Sequence, residues 1–377
     1  MPGTSTSAAR GLDGVVAART RLSHVDGDRG ELIIGGYELK ELAGRAHFED
    51  AAHLLWRGAL PTRDELGRLR RELAAVRALP EETLEVVRAA ATAPPIDALR
   101  MACATLSLDL ANPDDISPTA DLESAKRLTA RFPTVLAAHA RISEGNEPIA
   151  PRADLPHAAN FLYMLAGRKP KVVQVRAFDA ALVLYAEHEL NASTFTARVI
   201  ASTLADMHSA VSGALGALKG PLHGGAGEAV MRTLEEIGAP DHAAAFTERA
   251  LAERRRLMGF GHRVYKAGDP RARILKTLAA KACQQSGQGI WFDIAVQLHE
   301  AVNRQKGLIP NVDFYSAPLF AALGIPVDLF VPVIAVSRIA GWTAHLLEQY
   351  ADNRLIRPRA DYVGAPRRTF QPLAERG

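Results

Sequence analysis

LPTRDELGRLRRELAAV (60–76) is the stretch from which the fold is read. Thr62 and Glu65 form a T-x-x-E pattern, in which each side chain satisfies the free backbone N–H of the other at a helix start. Leu66, Leu69, Leu73 and Val76 then recur three or four residues apart with charged residues between them, so one face is apolar. The stretch predicts an amphipathic helix.

The same spacing extends outward to 160–165 and 178–185. Residues 193–218 are mostly Ala, Ser, Gly and Thr, whose small side chains let backbones approach closely, and this predicts buried helices in tight mutual contact. RLTARFPTVLAAHARI (127–142) is helical in pattern but contains Pro133, so a kink or a helix junction is expected near Phe132. Asn112-Pro113 and Ser117-Pro118 mark 109–120 as an exposed loop. The exception to helix is ELIIGGYE (31–38), which can make a short hairpin around Gly35 and Gly36. The expected fold is all-α.

With 377 residues, 48% of them hydrophobic, the chain can bury a large core. Its net charge is +3, with Lys and Arg interspersed among Asp and Glu, so no nucleic-acid partner is expected. Cys103 and Cys283 form no C-x-x-C pair, which suits buried thiols in a reducing, cytoplasmic setting. The longest apolar run, 329–336, is far shorter than the roughly 20 residues of a membrane span, so no membrane segment is expected. MPGTSTSAAR (1–10) has no apolar core for a secretory signal and reads as a disordered tail. Glu187-His188-Glu189 has neither H-E-x-x-H nor paired Cys/His spacing, so no metal is expected.

Three further segments carry chemistry: GPLHGGAGE (220–228), GFGHRVYKAGDPRAR (259–273) and NVDFYSA (311–317). His223 lies in a glycine cluster ahead of a helical pattern, where the helix dipole would keep the imidazole neutral. Alone, it reads equally well as a turn histidine. His262 stands among Arg263, Lys266, Arg271 and Arg273, either an anion-binding loop or merely a solvated basic one. Asp313 follows Pro310-Asn311 and reads first as a helix cap, but apolar neighbours would raise its basicity. Together, a carboxylate and two imidazoles suit proton removal from carbon, enolate stabilisation and carbonyl polarisation. The glycines and histidines gathered between about 220 and 323, with helical stretches on both sides, suggest a small inserted domain.

These segments, with HELNASTFTAR (188–198) and SRIAGWTAHLLEQ (337–349), occur in the order found in citrate synthases. The chain resembles that family, including its 2-methylcitrate synthases, from GLDGVVAARTRLSHVDGD (11–28) through RPRADYVG (357–364). The resemblance implies a large helical domain (1–216 and 324–377), a small one (217–323) that closes over the substrates, and a homodimer. It implies condensation of acetyl-CoA with oxaloacetate, the coenzyme A thioester being a substrate and no cofactor being needed. Asp313 matches the base, His223 the enolate donor and His262 the group that polarises the ketone. His188, Arg271 and Arg338 match the oxaloacetate-holding residues, Arg357 an arginine given by the neighbouring subunit, and Arg256, Leu257, Met258, Gly259 and Phe260 the coenzyme A adenine site. The chain departs from the pattern at Gly227, where Asn is usual, and at Gly35, where Arg is usual. Gly227 is expected to loosen the helix start beside His223. A propionyl-CoA preference, or a silent binding homologue, are the alternatives.

Overall fold

The computed structural model describes residues 9–376. The expected disordered tail lies outside them except for Ala9 and Arg10, and Arg10 opens an exposed 3₁₀ turn, Arg10–Leu12. At Thr62 the reciprocal cap is formed. The Thr62 N–H donates to Glu65 Oε2 at 2.8 Å and the Glu65 N–H to Thr62 Oγ1 at 3.4 Å, and the helix Arg63–Ala75 follows with Leu69 and Leu73 buried. Val76 is the residue that ends it.

Helices dominate the described residues, and the helix Phe330–Ala351 is their spine. It lies in a stretch, Val327–Ala351, long and apolar enough to cross a membrane, but every residue from Phe330 to Leu346 is buried inside the protein. The helices Phe48–Arg57, Pro118–Ser143, Val172–Tyr185, Ala192–Ala201 and Met207–Leu218 pack around it. Its polar residues are partnered rather than stranded: Ser337 Oγ donates to the Leu182 carbonyl, and Thr343 Oγ1 accepts from Trp56 Nε1 at 2.9 Å. A buried polar group left unpaired would cost about 1–3 kcal/mol, so these bonds fix where the spine can sit.

The small-residue stretch 193–218 forms two helices, Ala192–Ala201 and Met207–Leu218, divided at Leu204 and restarted by an Asp206 cap on the Ser209 N–H at 3.0 Å. They lie so close that a Cβ at Gly213 would overlap Ile200. Pro133 corrects the expected junction, because one helix runs from Pro118 to Ser143 through it. Every residue from Leu128 to Ala140 is buried, and this packing outweighs the single backbone bond the proline removes. The exposed loop ends at Ser117, whose Oγ caps the Ala120 N–H at 3.4 Å, so 118–120 are helical.

The hairpin is present, and it is one strand larger than the sequence indicated. Strands β1 (Ser23–Asp26), β2 (Glu31–Ile34) and β3 (Tyr37–Glu38) form an antiparallel sheet in that order. Ile34 pairs with Tyr37 across a two-residue turn whose Gly35 and Gly36 have φ of 55° and 87°, the positive values such turns require. Between 226 and 322, the helices Ala226–Ile237, Pro270–Ser286, Gly289–Lys306 and Val312–Ala322 pack against one another.

The two departures at glycine differ physically. A Cβ on Gly35 would come within 2.7 Å of Leu54 Cγ on top of its positive φ, whereas one on Gly227 would meet Phe330 at an ordinary 3.8 Å inside a helix. Gly35→Ala should therefore destabilise by about 1–3 kcal/mol, and Gly227→Ala should stabilise by up to about 1 kcal/mol. Urea midpoints at unchanged slope test the opposite signs.

Candidate active site

Backbone pairing builds the centre of the site. The Asn311 N–H donates to the Gly259 carbonyl and the Gly261 N–H to the Ile309 carbonyl, both at 2.9 Å, while Asn311 Nδ2 reaches the Gly261 carbonyl at 3.0 Å. This lays the loop 256–266 beside the start of the helix Val312–Ala322. Gly259 has φ 83°, and a Cβ there would approach Val230 at 2.5 Å and Phe314 at 2.9 Å, so only glycine fits. Asn311, not Asp313, is the cap: its Oδ1 accepts the Asp313 N–H at 3.1 Å. The Asp313 carboxylate is thereby left to face the cleft.

That cleft has a volume of about 1310 Å³. It brings together His188, His223, Arg256 through Phe260, His262, Arg271, Asp313 and Arg338, all named from the sequence. Arg357 is not among its lining residues and lies exposed on the C-terminal segment. Burial raises the Asp313 carboxyl to about 6, against the opposing pull of Arg271 and a hydrogen bond from Tyr185.

His223 lies in the turn before the helix Ala226–Ile237, not at its first turn, which corrects the helix-dipole argument. Burial first, and the charge of Arg338 second, lower it to about 4 and keep it neutral. Its Nε2 sits 3.3 Å from the Ser193 N–H and 2.8 Å from Ser193 Oγ. A backbone N–H only donates, so Nε2 accepts and the imidazole proton rests on Nδ1; the Ser193 hydroxyl then turns its proton to Nε2 and away from Asn191 Oδ1, 2.7 Å off. His262 is wired in the opposite sense: its Nδ1 accepts from the Val264 and Tyr265 N–H groups at 3.0 and 3.1 Å, which places the proton on Nε2. Burial and Arg271 lower His262 as well.

His188 Nε2 lies 3.1 Å from the Tyr265 hydroxyl, and burial followed by Arg271 and Arg338 drives its basicity well down. Arg271 is held by Asp269 through Nε at 2.9 Å and Nη2 at 2.7 Å. Arg338 donates from Nε to the Tyr185 carbonyl at 2.6 Å, and no carboxylate pairs with it among the described residues. Burial and the neighbouring Arg271 lower Arg338 to about 10, still fully charged at neutral pH. Two buried guanidinium groups in one cleft, Arg271 and Arg338, make it a site for a carboxylate-bearing ligand.

Sequence reading missed Tyr185, Ser193, Tyr265, Asp269 and Trp342, whose Nε1 donates to Ser193 Oγ at 3.1 Å. Asp269 had a signal, an Asp-Pro-Arg run at a helix start. The others are uncharged and become visible only when distant segments meet. Both thiols are free and buried, and burial pushes each up to about 12.

A helical cleft with a raised carboxylate, three neutral imidazoles of which His223 and His262 are opposite tautomers, and two buried guanidinium groups suits an enzyme that moves protons at carbon on an anionic substrate. The family model "Citrate synthase, C-terminal domain" matches residues 11–359, and the chain belongs to the citrate synthase family, acyltransferase enzymes. It is 46% identical over 372 residues to "Citrate synthase 2" of Bacillus subtilis (strain 168), covering 98% of this chain and 100% of that one. It is 40% identical to the same organism's "Citrate/2-methylcitrate synthase", covering 94% and 96%. A citrate synthase from Thermoplasma acidophilum, solved as a ternary complex with carboxymethyl coenzyme A and oxaloacetate, superposes with a TM-score of 0.91 at 33% identity, covering 98% and 100%.

Asp313 has a linked stability consequence. Its folded value of about 6 lies above the ordinary 3.8, so its favourable contribution exists below about pH 4 and is lost as pH rises through 6. Above that, the ionised carboxylate costs up to roughly 3 kcal/mol. Asp313→Asn should therefore unfold at higher denaturant than the parent at pH 8, with the gap narrowing at pH 5.

Proposed function

We propose that the cleft condenses acetyl-CoA with oxaloacetate, giving citrate and free coenzyme A. The observation that carries this reading is the pairing of opposite tautomers around one raised carboxylate. His262 offers an Nε2–H and His223 an Nδ1–H, two donors that need no prior proton loss. Arg271, Arg338 and His188 hold the carboxylates of oxaloacetate, and His262 donates to its ketone oxygen. The acyl-CoA lies along Arg256–Phe260, with its thioester carbonyl on His223.

Asp313 then takes a proton from the acyl methyl, and the electron pair moves onto the thioester oxygen as an enolate. The enolate carbon bonds to the ketone carbon, whose oxygen becomes an alkoxide and is protonated from His262. Water finally cleaves the citryl thioester, releasing the thiol. The segment 217–323 is the closing unit in this reading, shutting after oxaloacetate binds and so shielding the thioester from idle hydrolysis. Buried free thiols suit a reducing, cytoplasmic compartment.

A homodimer is part of the same proposal. Residues past the spine helix carry exposed Leu355, Tyr362, Val363 and Phe370, an apolar arm suited to a second copy, and Arg357 lies on that arm. In the dimer the partner subunit's Arg357 would complete the carboxylate site.

Thiol release with oxaloacetate should give a higher kcat/KM for acetyl-CoA than for propionyl-CoA; the reverse order assigns 2-methylcitrate synthesis, and release with neither defeats both. Asp313→Asn should lose about 10²–10⁴-fold and His223→Ala about 10²–10³-fold in turnover. Activity should rise with pH through about 6, as Asp313 ionises, with no loss from His223, already neutral above about 4. Purified heterodimers of Asp313→Asn and Arg357→Ala chains should recover activity that neither homodimer has, because one of their two sites is intact. Absence of recovery would place Arg357 in its own subunit's site, and parent-like activity of the Arg357→Ala homodimer would place it outside the site.

A further inference from the structure

Tyr185 ends the helix Val172–Tyr185 with its side chain buried, 3% exposed, and the chemistry above gives it no role. Its carbonyl accepts the Arg338 Nε bond, while its hydroxyl stands 3.1 Å from Asp313 Oδ1 and 3.0 Å from Ser316 Oγ. The proton of Ser316 is committed to the Asp313 carbonyl at 3.0 Å, so Ser316 Oγ can receive from Tyr185 but not give to it. One phenolic proton thus has two acceptors. Asp313 Oδ2 takes no hydrogen bond among the described residues and is the oxygen left for a substrate.

We propose that Tyr185 is a positioning residue for the base: its hydroxyl follows the charge on Asp313, donating to Oδ1 while the carboxylate is ionised and turning to Ser316 once it is protonated. The inference rests on Asp313 acting as the base. A hydrogen bond to an ionised acceptor is about twice as strong as one to a neutral acceptor, which sets the direction of the turn. Burial, then the nearby Asp313 charge, holds the phenol far above its ordinary value, so it remains a donor throughout. The other charges facing Asp313 are Arg271 and Asp269 at the start of the helix Pro270–Ser286 and Arg338 on the spine. Arg271 and Arg338 favour its ionised form and Asp269 opposes it, and none of these is altered by changing Tyr185.

The test is the pH profile of kcat/KM for acetyl-CoA at saturating oxaloacetate, taken on the parent, Tyr185→Phe, Ser316→Ala and Asp313→Asn. Tyr185→Phe should lose about tenfold or more in kcat on the plateau, and its acidic limb should move to higher pH because the ionised base has lost a donor. Its KM for oxaloacetate should stay near the parent value, since the backbone carbonyl still holds Arg338. Ser316→Ala removes the second acceptor and should move the limb the other way, to lower pH; it also carries the test if Tyr185→Phe fails to fold. Opposite displacements cannot come from general damage. An unmoved limb in Tyr185→Phe, or in Ser316→Ala where that variant carries the test, overturns the inference, as do displacements of the same sign. With Asp313→Asn inactive, such a result leaves the base assignment standing, whereas parent-like turnover in Asp313→Asn removes the base assignment itself and this inference with it.

Discussion

Asp269 is buried ahead of the helix Pro270–Ser286, and its two oxygens share four donors. Oδ1 accepts the Arg271 N–H at 3.0 Å and Nε at 2.9 Å; Oδ2 accepts Arg271 Nη2 at 2.7 Å and the Val312 N–H at 3.0 Å. Burial alone would favour the neutral acid, but the Arg271 charge and these bonds hold the carboxyl below its usual range. Losing one partner of such a buried pair costs about 3–5 kcal/mol, because the other charge remains desolvated. The geometric effect matters as much. One carboxylate fixes the planar fork of Arg271 and the first residue of the helix that carries Asp313, so the anion-holding group and the basic carboxylate cannot shift independently.

Asp269 neutralises Arg271, so Arg338 is the buried guanidinium of the cleft with no carboxylate bonded directly to it, and its charge reaches the histidines. It helps to lower both His188 and His223. Neutral imidazoles alone would be ambiguous, since either nitrogen could hold the proton. Backbone N–H groups of Ser193, Val264 and Tyr265 remove the ambiguity, and they do not titrate. The two donors therefore keep their orientation across the range in which Asp313 changes charge. Proton affinity varies at one point of the cleft while the rest stays fixed.

What was legible in the sequence was mostly local. The Thr62–Glu65 cap, the Gly35-Gly36 turn and the tight helices of 193–218 each depend on neighbours a few residues away. At Pro133 the helix junction does not form, because the proline's cost is local while the burial that outweighs it comes from helices far along the chain. The charged and imidazole groups of the cleft were legible because their motifs mark them, but the reason for His223 neutrality was not. Its causes are burial in the assembled cleft and the charge of Arg338, which lies more than a hundred residues away in sequence. Tyr185, Ser193 and Trp342 were hidden for a further reason: each is uncharged, and its importance lies in the atom it faces.

The same distinction explains why the acyl preference cannot be read from the polar groups. In the proposed reaction, acetyl and propionyl thioesters would present the same carbonyl to His223 and the same kind of α-hydrogen to Asp313; they differ by one methylene that only apolar walls can sense. Leu218, Leu222, Val312 and Ile334 supply such walls in this cleft, and Leu222, 87% exposed, is free to give way. A methylene in an apolar pocket is worth about 1–3 kcal/mol in discrimination, a size that a shift of one such side chain can cancel. The polar constellation therefore sets the reaction type, while the walls set the chain length, and relatives named for either acyl donor can share the first while differing in the second.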